Sequence, residues 1–179
     1  MLKLTDPLWA DLENAYGDKV DIPAMLKQMR TKRGLTKKFW NDLWGSLCHQ
    51  CSTYTASFAA FPHLVSSARS LNAKQRIAAL DLAAGILTCS YDANELTKRI
   101  PTELYDPFVA AIADGKEQLA SMITDTRKTR VDSMRYLWMI AAFDGHPEVV
   151  GLLWTVVDDF CCPVCGDDII DPYESLCGL

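Results

Sequence analysis

Two C-x-x-C pairs are the residues of this 179-residue chain best suited to chemistry: Cys48 and Cys51 in "LCHQC", and Cys162 and Cys165 in "FCCPVCG". Thiolates at that spacing clamp one tetrahedral metal ion from a tight knuckle, and two further ligands must close the site. Cys162 and Cys165 can find them nearby, in Cys177 and in either Cys161 or an outside ligand. Cys161, Cys162, Cys165 and Cys177 are therefore the candidate ligands of a structural zinc in the tail. Joining Cys48 and Cys51 to Cys162 and Cys165 also makes a four-cysteine set, but only if the end of the chain folds back over the helices between them. The alternative to both is free thiols. A redox role lacks the βαβ setting in which such a pair usually sits.

A second pattern lies close by. "HPE" at residues 146–148 followed by "CPVC" at residues 162–165 is similar to the zinc deaminase signature, in which a histidine and two cysteines hold zinc and a glutamate moves the proton. Three details count against it. Too few residues separate Glu148 from Cys162 for an intervening strand, the proline follows the first cysteine instead of preceding it, and no sheet is expected. The chain also lacks a G-x-S-x-G elbow, a phosphate-binding glycine loop and an H-E-x-x-H pair. Cys48 and His49 are neighbours on a helix, about 100° apart, and make a poor dyad. The expectation is a protein that is not an enzyme.

The elements that would position these residues read as helices throughout. Asp6 and Pro7 form a cap and first-turn pair before Leu8, Trp9, Leu12 and Tyr16, and Ile22 and Pro23 open a second helix that stops near Gly34. Thr36 caps a third, with Phe39, Trp40, Leu43, Trp44 and Leu47 at helical spacing, where the tryptophans read as core. A fourth covers roughly residues 53–71, with Pro62 expected to kink or break it. Asn72 starts the next, and Pro101 opens another that is expected to end at Gly115 before a short helix from Lys116. A last pair joins at Gly145 and restarts at Pro147. Connections this short make successive helices antiparallel hairpins. The expected class is all-α, with a helical domain over residues 1–158 and an irregular, acidic, cysteine-containing tail over residues 159–179.

"LWGSLCHQCSTYTASFAAFPHLV", residues 43–65, resembles a motif of a widespread group of uncharacterised bacterial HEAT-like helical-repeat proteins, approximately L-W-x-x-L-x-H-Q-G-x-x-Y-x-A-S-x-x-A-x-P-x-L. It is met at Leu43, Trp44, Leu47, His49, Gln50, Tyr54, Ala56, Ser57, Ala60, Pro62 and Leu64, and departs at Cys51, where the group has glycine. The resemblance implies a short HEAT-like α-solenoid of helical hairpins acting as a protein-binding scaffold, similar in some members to immunity proteins that neutralise toxins. It also places Cys51 at a helix-to-helix corner, so that the C-x-x-C spacing arises by chance. His49 and Gln50 are expected to satisfy backbone groups at the helix ends, and His63 to cap or lie on the surface.

Charge divides the chain. Residues 1–135 carry 18 basic and 15 acidic side chains, a net of +3, while residues 136–179 carry 8 acids and no Lys or Arg. Asp158, Asp159, Asp167, Asp168, Asp171 and Glu174 are accordingly the expected contacts for a basic protein partner. The rival is nucleic-acid binding through Lys27, Arg30, Lys32, Arg33, Lys37 and Lys38, which crowd one helix end. No run approaches the roughly 20 apolar residues of a membrane span, since the longest is residues 149–157. Asp6 interrupts what would be the apolar part of a signal peptide, so a cytoplasmic protein with reduced thiols is expected.

Overall fold

A computed structural model describes residues 1–17, 20–90, 99–123, 130–146, 148–150 and 153. The tail cysteines Cys161, Cys162, Cys165 and Cys177, and the acids Asp158, Asp159, Asp167, Asp168, Asp171 and Glu174, lie outside the described residues.

The chain is mostly helical. After a 3-10 turn at Pro7–Asp11 come α1 (Ile22–Thr31), α2 (Lys37–Leu47), α3 (Thr55–Ala68), α4 (Ala73–Thr88), α5 (Thr102–Ile123) and α6 (Arg130–Asp144). Side-chain caps set the starts: Asp21 accepts from the Ala24 N–H at 2.9 Å, Thr36 from Phe39 at 3.2 Å, and Asn72 from Gln75 at 3.0 Å. Each satisfies a backbone donor that the first helical turn leaves open.

Three sequence expectations are corrected. The first is that the opening segment forms a single 3-10 turn, with Asp6 accepting from Leu8, in place of a longer helix. The second concerns Pro62, which does not break α3: the helix runs through it and is buried along nearly its whole length, so packing on every side outweighs the one lost hydrogen bond. The third is that α5 does not end at Gly115. A side chain there would collide with the ring of Phe143 on α6, so the glycine serves close helix packing and not termination.

The core is centred on α3. It packs against α4 and α5, while α6 packs on both α4 and α5. Phe61 meets Phe108 of α5 at a ring distance of 4.5 Å and Phe143 of α6 at 5.8 Å, and Phe58 meets Phe108 edge-on at 5.6 Å. Alternate helices also touch: α1 contacts α3 and α3 contacts α5, while α2 contacts α4 and α4 contacts α6.

Candidate functional site

Between α2 and α3 the chain makes a feature that helical periodicity could not announce. Cys48–His49 and Ser52–Thr53 pair as a two-residue antiparallel hairpin, with Cys48 opposite Thr53 and His49 opposite Ser52. Gln50 and Cys51 form its turn with φ of 49° and 55°, both left-handed. Such a two-residue turn needs positive φ at both positions, which glycine and asparagine supply most readily. Cys51 therefore sits at a corner where glycine is the natural choice. That corner joins a helix to a helix through a hairpin.

The hairpin borders a cleft of about 650 Å³ between α2 and α4. Trp40 and Trp44, four residues apart on α2, present their indoles on one face and reach α4. The Trp40 indole N–H donates to the Gln75 side-chain carbonyl, and the Gln75 amide donates to the Leu35 carbonyl at 3.0 Å. Trp44 lies so close to Gly85 that a β-carbon there would sit 2.8 Å from the ring. Both tryptophans are only partly buried, so they serve as walls of the cleft as well as packing between helices.

Charge on the cleft is mainly positive. Lys37 and Lys74 lie at its exposed margins, and Arg135 reaches in from α6 to donate to Asp81 Oδ2 at 2.9 Å through Nη2 and 3.2 Å through Nε. Asp81 is the sole carboxylate among the described lining residues, and its side chain is only 13% exposed. Burial raises its pKa above the usual carboxylate range, against the opposing pull of the Arg135 charge and hydrogen bonds.

The four motif residues are divided by the fold. His49 and Gln50 line the cleft, with the His49 ring edge-on to Tyr16 at 5.7 Å. Ser57 serves backbone groups at this junction: its buried hydroxyl donates to the Leu47 carbonyl at 2.6 Å and accepts from the Tyr54 N–H at 2.9 Å. Tyr54 faces a separate recess that also includes Trp9 and Asn14. Comparison of the chain with protein-family models, with curated proteins and with solved structures gives no match.

His63 corrects its surface assignment. It is 1% exposed, takes a hydrogen bond at Nδ1 from Arg30 at 3.0 Å and donates from Nε2 to the Leu2 carbonyl at 2.8 Å, tying the N-terminal segment to α3. Burial lowers its pKa to about 4; the Leu2 carbonyl opposes that shift, and the Arg30 and N-terminal charges add to it. Arg30 is thus engaged by a neutral ring, and Lys38 pairs with Asp42 at 2.7 Å. Of the remaining basic cluster, Lys27, Lys32 and Arg33 are exposed and Lys37 stands at the cleft.

Cys48 meets a thiol that spacing did not suggest. Its Sγ lies 2.8 Å from that of Cys89, just past the end of α4. No group of three or more His, Cys, Asp or Glu side chains among the described residues is arranged to hold a metal. His146 and Glu148 bond to each other at 3.1 Å on the exposed surface. No described helix is long and apolar enough to cross a membrane.

Proposed function

We propose that this is a non-enzymatic binding protein whose recognition site is the cleft between α2 and α4, and that its occupant is an anionic group carried on a planar apolar body. One observation carries the reading. Two indoles and the ammonium groups of Lys37 and Lys74 border a single cleft whose described carboxylate, Asp81, is already held by Arg135. Aromatic faces take a planar body by stacking, and a guanidinium or ammonium takes a carboxylate or phosphate. A cleft of about 650 Å³ is within the range of small-molecule sites.

The contacts within the rows α1–α3–α5 and α2–α4–α6 support the HEAT-like scaffold that the motif implies. The charge division of the sequence favours a second reading, in which the acids of residues 136–179 bind a basic protein such as a toxin. Nucleic-acid binding would extend the cationic surface from Lys37 towards Lys32 and Arg33.

Tryptophan fluorescence tests the cleft, with adenosine monophosphate and benzoate as the probes. A saturable change is expected with at least one of them, weakened about tenfold or more by a Lys37→Glu, Lys74→Glu pair, a loss of roughly 1.4 kcal/mol. No saturable response to either anion up to roughly millimolar concentration, with tight binding of a basic polypeptide instead, would overturn the cleft reading in favour of the acidic one.

A further inference from the structure

Two of the chain's seven cysteines, Cys48 and Cys89, touch where α2 and α4 end, and a third, Cys51, lies on the adjoining hairpin turn. Cys48 follows the last residue of α2 and Cys89 the last residue of α4. Because these two helices lie side by side, their C-terminal ends bring the Sγ atoms to 2.8 Å, and Cys48 also points at the Gly85 carbonyl at 3.7 Å. The left-handed turn puts Cys51 at the exposed tip of the hairpin that begins with Cys48, and Cys89 is the neighbour that acts most strongly on its thiol. Exposure differs in a graded way: Cys51 is exposed, Cys89 half-buried and Cys48 buried.

We propose that Cys51, Cys89 and Cys48 form a thiol–disulfide modification site, in which Cys51 receives a low-molecular-weight aliphatic disulfide and a Cys48–Cys89 disulfide is the stable product. Cys51 loses its proton to solvent and attacks the small disulfide RSSR, forming Cys51–S–S–R and releasing one RSH once the leaving thiolate is protonated. Cys89 next attacks the Cys51 sulfur, breaking its bond to SR; a Cys51–Cys89 disulfide forms and the second RSH leaves. Cys48 finally attacks Cys89, and Cys51 departs as a thiol. Two protein thiols are oxidised and one RSSR is reduced to two RSH, so electrons and protons balance.

The geometry supports the final Cys48–Cys89 pairing directly, and the position of Cys51 on the hairpin turn supports its entry role. Cys89 is the shared neighbour of the other two thiols, and the Cys48–Cys89 pair needs about 0.8 Å of closure to reach a disulfide bond length. Both Cys51 and Cys89 are held above the ordinary thiol pKa, in each case chiefly by the neighbouring cysteine, with burial adding to it. The exchange is consequently slow at neutral pH and faster in mild base, since the thiolate is the attacking species. Its product staples the hairpin to the end of α4. Cys48 also lines the cleft, but the thiol pairing requires no particular occupant there.

The test is incubation of the full chain with oxidised glutathione at mildly alkaline pH, followed by non-reducing peptide mapping. The expected product links Cys48 to Cys89. It should raise the melting temperature by about 5 to 15 °C, because a long loop is closed in the unfolded chain. Cys51→Ser, at an exposed position, should slow formation about tenfold without changing the product, and Cys89→Ser should leave glutathione attached at Cys51. A chain carrying Ser at Cys161, Cys162, Cys165 and Cys177 should behave as the parent does. Absence of the Cys48–Cys89 link in both chains overturns the site, and an unchanged rate in Cys51→Ser overturns the role of Cys51.

Discussion

Arg135 on α6 holds Asp81 on α4 across the floor of the cleft, with side chains only 17% and 13% exposed. Removing one member of such a pair strands a charge, whereas replacing both by apolar groups does not. Arg135→Met should therefore cost about 3 kcal/mol at neutral pH, and Asp81→Leu with Arg135→Met should recover most of it. Urea denaturation checks both. Because burial raises the pKa of Asp81, its contribution is most favourable below the usual carboxylate pKa and is lost as the pH rises through the raised value. The cost of Arg135→Met should accordingly shrink on acidification.

His63 gives a dependence of opposite sign. Its pKa falls from 6.5 to about 4 on folding, so the neutral ring stabilises the fold fully above 6.5, and that stability is lost as the pH falls towards 4. The shift corresponds to about 3 kcal/mol between those limits. A series of unfolding curves from pH 7 to pH 4 should show this slope, and His63→Gln should remove it.

Ser57 should prove structural. Its hydroxyl serves the Leu47 carbonyl and the Tyr54 N–H together, in a place without solvent. Ser57→Ala leaves both unsatisfied and should cost about 1 to 3 kcal/mol in thermal or urea unfolding, with the binding of cleft ligands retained by the folded fraction.

Gly85→Ala should push Trp44 out of its place, since the new methyl would sit 2.8 Å from the ring. A loss of about 1 to 3 kcal/mol and a shifted tryptophan emission are expected. Trp44→Leu in the same chain should restore part of the stability. An unshifted emission with full stability in Gly85→Ala alone would contradict the packing described for the cleft wall.

Much of the helical framework was legible in local chemistry. Asp6, Thr36 and Asn72 each cap where their side chains and spacing say they should, because an N-cap is made by residues only two or three apart. Pro62 and Gly115 misled for the opposite reason. Propensity treats them as breaks, but α3 is packed on nearly all sides and Gly115 faces Phe143, and those contacts come from helices remote in sequence. His63 and its partners Arg30 and Leu2 are separated by 33 and 61 residues, so no pattern could place that ring inside.

By itself, the sequence determined the helical class, most of the helix starts and the division of charge, because each follows from neighbours along the chain. Only the tertiary structure decided that Trp40, Trp44, Lys37, Lys74 and Arg135 share a cleft and that Cys48 meets Cys89. The cleft side chains come from three helices and the two thiols from just beyond the ends of two of them, and the lateral packing that joins them is set by side-chain shape and non-directional burial, which leave no fixed spacing in the sequence.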